Sequence, residues 1–393
     1  MKTLSSGHPG CKSGIDCSLS RFVLNSTLSL MLVVTNAAVM IAATPTLTFD
    51  SPSALSAEGV PMNLGSHASP RLVDWNGDGA LDLLLAGGDG YIWLFRQGGP
   101  ANSTDFLAGT RVTASGSPIR VGTGYTGCCL ADMDGDGRSD LVAAGNDNRV
   151  RYFSNIETLS SPAFGSSVVI RGNRGPFVLP DTVGGRIDVA DWDGDGLWDL
   201  ITGDFNGYLT WYRNTGTTSS PVFGAMGLPF KRSGSTLQEP YNTHPRVFDF
   251  NQDGVPDLAF GINWGYAKIL MNTAGRGTTD FPSDYLLRGT NGLELNIRVL
   301  NGDDTTPDFA DLNGDGVLDL ISGGLNGRLF FMPGISHARS LDRIEDIMAA
   351  HVNDLGAALA ANAALRDELF GLHRALRSTT TGLLPWAMPI QIF

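Results

Sequence analysis

The feature that most limits what this chain can become is a ten-residue acidic string that occurs five times. It reads DWNGDGALDL from Asp74, DMDGDGRSDL from Asp132, DWDGDGLWDL from Asp191, DFNQDGVPDL from Asp249 and DLNGDGVLDL from Asp311. The starts lie 58, 59, 58 and 62 residues apart. Spacing this regular marks an array, in which one supersecondary unit recurs and buries its apolar face against its neighbours.

The body of each repeat reads as β-structure. In the first, PRLVDW runs into the acidic loop, LDLLLAG follows as a buried strand, GGDG turns, and YIWLF is an aromatic and β-branched strand. A fourth segment, FLAGTRVTASGSPIRV, leads to the next repeat. The remaining repeats keep the plan, so each supplies about four strands. Five such modules in series predict an all-β fold, a β-propeller of about five four-stranded blades. The chain also opens with a fourth-strand-like segment, Thr46 to Leu64, and its last repeat stops after a third strand at Phe331. The first segment is therefore expected to complete the last blade and fasten the ring.

Four like charges within nine residues repel unless a cation sits among them. Positions 1, 3, 5 and 9 of the loop carry oxygen side chains in every copy. They are Asp74, Asn76, Asp78 and Asp82; Asp132, Asp134, Asp136 and Asp140; Asp191, Asp193, Asp195 and Asp199; Asp249, Asn251, Asp253 and Asp257; and Asp311, Asn313, Asp315 and Asp319. Position 6 is always glycine, which allows a sharp reversal. Position 7 would add a backbone carbonyl, from Ala80, Arg138, Leu197, Val255 or Val317. With a water or two, this gives the six to eight hard oxygen ligands that calcium takes. Absence of His and Cys from the loops disfavours zinc and copper, and magnesium prefers to keep its waters. About five structural calcium ions are the expected cofactors. An EF-hand shares the opening spacing but needs Glu at position 12, where these loops have Leu85, Ala143, Thr202, Phe260 and Ser322. Loops with Asn at position 3, the first, fourth and fifth, carry one fewer negative charge and are expected to bind calcium more weakly than the second and third.

These DxDGDGxxDL loops, each followed by a glycine-bounded aromatic or aliphatic strand, resemble the FG-GAP/VCBS repeats of integrin-type β-propellers. The resemblance spans roughly Thr46 to Met332. The chain departs from that pattern in lacking most phenylalanine-glycine and glycine-alanine-proline signatures, and in having five units where integrin heads have seven. The resemblance implies calcium held structurally at the outer edge of each blade, and a surface used for adhesion or carbohydrate binding.

Outside the array, residues 1–43 read as an export segment. An apolar run from Leu28 to Ala43 follows Lys2, Lys12 and Arg21, with cleavage expected near Ala42 to Thr44. A retained N-terminal anchor is the alternative. Residues 44–335 form the expected propeller domain, on a secreted, cell-surface or periplasmic protein whose mature chain has no integral membrane span. Residues 338–377 read as a helix with heptad positions at Leu341, Met348, Leu355, Asn362, Leu369 and Leu376. That helix either oligomerises the chain as a coiled coil, a homo-oligomer with Asn362 fixing register, or lies amphipathically on the propeller. The apolar tail 378–393 is too short to span a bilayer.

A net charge of -13 excludes nucleic acid, whose phosphates need a basic surface. Cys128 and Cys129 are adjacent in an apolar stretch; packing as a small buried hydrophobe and a strained vicinal disulfide are the two readings. GxSxG, P-loop and HExxH motifs are absent, and the two histidines of the array, His67 and His244, have no neighbouring nucleophile pattern. Two functions follow. One is a binding or adhesion module for glycan or protein ligands, with Trp93, Trp198, Trp211 and Trp264 either stacking on sugars or packing in blade cores. The other is a carbohydrate-active enzyme, a polysaccharide lyase or glycosidase, for which His244 and Tyr241 are the residues to alter.

Overall fold

A computed structural model describes residues 48–335, apart from 99–102, 159–161, 181–183, 225 and 291–292. The expected export segment, C-terminal helix and tail lie outside the described residues. Within them the chain is all-β, with helical geometry limited to Asn263–Gly265 and Arg298–Asn301.

Each repeat builds an antiparallel four-stranded sheet. The first runs Ala68–Val73, Asp82–Gly87, Ile92–Phe95 and Thr110–Arg111. The second runs Gly127–Ala131, Asp140–Ala144, Arg151–Asn155 and Phe164–Val169, joined at its edge by a short hairpin. Ile187–Ala190, Asp199–Gly203, Leu209–Tyr212 and Leu228–Pro229 make the third. The fourth takes His244–Phe248, Asp257–Ile262, Tyr266–Leu270 and Tyr285–Leu286. The fifth has Thr306–Ala310, Asp319–Gly323 and Phe330–Met332, and its outer strand is Ser53–Ala54 from the other end of the chain. The N-terminal segment thus completes the last sheet, as its sequence suggests.

Second strands read as unbroken apolar runs because both of their faces are covered. Leu84 enters a cluster shared with the second sheet, while Leu83 and Leu85 enter one shared with the fifth. Leu200 and Ile201 divide in the same way between the second and fourth sheets. The apolar core is consequently not one body. It is a set of five clusters, each wedged between neighbouring sheets, including the fifth and the first. First strands touch one another in the same cycle, the fifth meeting the first. The arrangement is propeller-like and closed.

A clasp recurs at each junction. Phe49, Phe106, Phe223 and Phe281 stand just before an outer strand and Phe164 begins one, and all are buried. Each belongs to one of the five inter-sheet clusters. The backbone at each phenylalanine pairs in parallel with a segment from the preceding repeat: Ser56–Ala57 with Asp105–Phe106, Ala114 with Phe164, Arg171–Gly172 with Val222–Phe223, Lys231–Arg232 with Asp280–Phe281, and Arg288–Gly289 with Thr48–Phe49.

Three residues before each acidic loop, the five first strands present Arg71, Cys129, Asp188, Arg246 and Asp308, which converge at the centre. Arg71 donates Nη2 to the Ile187 carbonyl at 3.0 Å and faces Asp188 at 3.7 Å. Arg246 pairs with Asp188 at 3.1 Å and with Asp308. Asp308 also accepts from the Leu72 amide and Asp188 from the Val247 amide. Two cations and two anions balance in a place where a lone charge would be prohibitive. Cys129 fills the fifth position, and it and Cys128 are buried free thiols that face different clusters. Burial pushes the Cys128 thiol up to about 12. Removing one member of this centre leaves its partner uncompensated. Asp308→Ala is expected to cost about 3–5 kcal/mol in a denaturant melt, and a loss below about 1 kcal/mol would show that the charges at the centre are not coupled.

Candidate metal centre and axial polar cluster

In every repeat the acidic loop joins the first strand to the second, so all five loops lie at one end of the sheets. Glycines at positions 4 and 6, such as Gly194 (φ 78°) and Gly196 (φ 83°), turn the backbone through the left-handed region. That turn points successive amides inward. The position-1 aspartate collects them: Asp132 accepts from Gly135, Asp136 and Gly137 at 2.7, 3.1 and 2.9 Å. Asp74 repeats this pattern, and Asp191, Asp249 and Asp311 accept two of the three. The position-5 carboxylates of Asp78, Asp136, Asp195, Asp253 and Asp315 each accept from the amide of position 7 at 2.9 Å.

Position 9 is the first residue of the second strand and is buried in all five copies. Its Oδ1 accepts the backbone amide fifteen residues on: Asp82 from Gln97, Asp140 from Asn155, Asp199 from Asn214, Asp257 from Asn272 and Asp319 from Gly334, at 2.6 to 2.8 Å. In three copies Oδ2 accepts from position 2, at Met133, Phe250 and Leu312. The spacing makes this aspartate a candidate ligand, and the fold has it tie the loop to the end of the third strand. Burial pushes the Asp140, Asp199, Asp257 and Asp319 carboxyls up to about 6, against the pull of these amides. Asp82 shifts the same way.

Position 3 separates the loops. Asp132, Asp134 and Asp136 each bring a carboxylate oxygen within 4.8 Å of the others, as do Asp191, Asp193 and Asp195. Asp134 Oδ1 is buried there without a hydrogen-bond partner. A cluster of hard anionic oxygens with an unsatisfied inward acceptor fits a divalent metal ion. Where position 3 is Asn, its amide nitrogen bonds a neighbouring carboxylate: Asn76 to Asp78 at 2.7 Å, Asn251 to Asp253 at 2.9 Å and Asn313 to Asp319 at 3.2 Å. Among the described residues, three-carboxylate clusters occur only in the second and third loops.

A different site occupies the opposite end, where linkers enter the first strands. His67 and His244 lie 5.5 Å apart between ring centroids, with the Tyr125 ring 4.8 Å from His67. The Arg186 guanidinium stacks 3.9 Å over Tyr125 and donates to Asn242 Oδ1 at 2.7 Å. Asn242 in turn donates to Asp304 at 2.6 Å. The sequence gives no motif for this cluster because its members come from five repeats. Their signal is register alone: His67, Tyr125, Asn242 and Asp304 all stand seven residues before a loop. Around it, Phe205, Tyr241 and Trp264 are exposed aromatics. Phe205 and Tyr241 rings are 5.7 Å apart, and the Asn263 amide donates to the Tyr241 carbonyl at 3.2 Å. Of the four candidate stacking tryptophans, Trp211 is buried in a cluster and Trp93 and Trp198 pack against clusters, leaving Trp264 outside.

The FG-GAP-like repeat family matches residues 74–143 and 191–260. These two stretches therefore carry FG-GAP-like repeats, in agreement with the family that the loops resemble. No curated protein matches it. Among solved structures, the Photorhabdus luminescens Tc holotoxin pore carrying the TccC3-D651A mutation aligns at 17% identity and TM-score 0.36, over 74% of this chain and 15% of that one. BBS1N in complex with ARL6DN, soaked with mercury, aligns at 9% identity and TM-score 0.33, over 74% of this chain and 97% of that one. The lead-soaked form of the same complex gives 12% and 0.29, over 74% and 67%. The chain thus spans about a seventh of the holotoxin chain. Among the described residues, no helix is long and apolar enough to cross a membrane.

Burial and the Arg186 charge lower the His67 imidazole to about 3, and His244 falls well below its ordinary value for the same reasons. A base held neutral in the fold contributes stability above its unfolded value of 6.5, and that contribution is lost as pH falls from there toward 3. Thermal melts between pH 7 and 4 should therefore decline less steeply in His67→Gln than in the unaltered chain. Parallel declines would mean that His67 carries no such linkage.

Proposed function

We propose that residues 44–335 form a five-bladed, calcium-stabilised propeller that acts as an exported binding or adhesion module. The observation that supports this most directly is the fivefold register of the acidic loops. The same positions carry oxygen side chains, a glycine at position 6 turns the chain in every copy, and the same aspartate anchors the loop to the third strand. In the second and third loops the carboxylates Asp132, Asp134, Asp136, Asp140 and Asp191, Asp193, Asp195, Asp199 would hold the ion. In the other three, Asn76, Asn251 and Asn313 would supply their amide oxygens beside the remaining aspartates. A bound calcium ion would neutralise the loop and cross-brace two strands, a structural role. Because each loop is tied to its own third strand, ion binding would stiffen a blade edge.

The ligand surface in this reading is the opposite end, where Phe205, Tyr241 and Trp264 stand exposed beside the amides of Asn206, Gln238 and Asn296. Flat aromatic faces next to planar amides suit a glycan, whose ring stacks and whose hydroxyls bond. Trp264 and Asn242 also hold positive φ values of 67° and 51°, a conformation that aromatic and other non-glycine residues keep only where surroundings enforce it. A helix over residues 338–377, expected from the sequence, would multiply such a site by assembling copies of the chain.

Two measurements test this reading. Calorimetric titration with calcium should give a stoichiometry near five, with affinities on the order of 10⁻⁴ to 10⁻³ M as in extracellular modules. Millimolar calcium should raise the melting temperature through linkage, and a melt unchanged by exhaustive chelation would contradict the assignment. Glycan-array binding should be lost in Tyr241→Ala and Trp264→Ala with the melt preserved; retained binding would place the ligand elsewhere.

A further inference from the structure

Three of the five loops carry an arginine that sits among the proposed ligands. Arg213 pairs with Asp193 and, through Nη2 at 2.8 Å, with Asp195. Arg96 stands at the equivalent place in the first repeat, twenty-two residues after the loop begins, and lies 3.8 Å from Asp78 and 3.2 Å from Asp82. The second repeat has Ser154 there. Its guanidinium comes instead from Arg138 at position 7, which pairs with Asp136 and donates Nε to the Asn155 carbonyl at 2.6 Å, at the end of the third strand. Two different sequence routes thus deliver a cation to one location. The fourth and fifth repeats have Met271 and Pro333 at the arginine position.

The charges make sense of this distribution. The second and third loops have four carboxylates, and each also has a guanidinium. The fourth and fifth have three, with Asn251 or Asn313 at position 3 and no arginine at the equivalent place. Counting the guanidiniums paired with loop carboxylates, these four loops carry the same net charge and the first loop is one unit less negative; Arg276 donates to the Asp191 and Gly254 carbonyls and is shared between the third and fourth loops. We infer that Arg213, Arg138 and Arg96 are built-in counter-cations that hold the calcium-free loops closed and must swing out when the ion enters. Their side chains are well placed for this, being 50%, 36% and 42% exposed, so release into water costs little. In consequence the second and third loops do not outbind the fourth and fifth as their carboxylate count alone implies. Arg138 and Arg213 level their loops with the fourth and fifth, and Arg96 leaves the first loop the weakest site.

This inference rests on the loops taking calcium, and the experiment separates the two. Loop three contains Trp192 and Trp198 and loop one contains Trp75, so in a Trp75→Phe background, used for every chain compared, indole-excited terbium emission reports loop three, with calcium as the competitor. In the full chain, Arg213→Met, which installs the residue of the fourth repeat, should tighten calcium at this loop about tenfold, the effect of removing one unit charge a few ångströms from a divalent ion in a watery site. The calcium-free melt should fall, and Arg174→Met, an exposed arginine outside the loops, should change neither. Unaltered or weaker calcium competition in Arg213→Met overturns the counter-cation role, as does a calcium-free melt that does not fall. Absence of any terbium or calcium signal in the unaltered chain would instead remove the calcium assignment itself.

Discussion

Everything in this molecule depends on sheets that are apolar on both faces. A second strand such as Asp82–Gly87 is buried along its whole length, and a sheet built around it cannot end an array, because its outer face would meet water. At roughly 25 cal/mol per Å² of apolar surface, one bare sheet face would forfeit more than a small domain's net stability. Closing the row on itself removes both ends at once. The five inter-sheet clusters and the N-terminal strand that completes the fifth sheet are the physical form of that solution.

Much of this was legible in the sequence, and the reasons differ by element. The loops declare themselves because metal-type spacing, glycine and aspartate recur at fixed positions. Second strands are readable from short apolar runs bounded by glycine, and the ring closure from a fourth-strand segment without its sheet. The inner charges were not readable. Arg71 in PRLVDW looks like an interruption of an apolar run, and its partner Asp188 lies more than a hundred residues away. Only the fold brings Arg71, Asp188, Arg246 and Asp308 together. The clasps leave no pattern in the sequence either, since strands of two residues have no periodicity to detect. Buried phenylalanines in segments such as SPAF and SPVF were their visible trace.

The candidate sites show the same division. Candidate donor positions 1, 3, 5 and 9 are readable from spacing, but the anchoring role of position 9 is not, because the amide it accepts lies fifteen residues on, at or just past the end of the third strand. The same limit hides Arg96 and Arg213, which reach the loops from just past the end of the third strand. The axial cluster of His67, Tyr125, Arg186, Asn242 and Asp304 depends on register between repeats, which becomes informative only once all five first strands are known to meet.

The outer strand of the fifth sheet, Ser53–Ala54, is joined to a partner 278 residues later in the chain. During synthesis it must therefore wait, with an unpaired edge, until almost the whole array has left the ribosome. The nascent protein carries an open strand at its head and, until the final repeat emerges, an uncovered sheet at its tail. Either could pair with a second copy instead of with each other. A chain built to close late has its greatest hazard while being made, and slow translation of the last repeat would lengthen it.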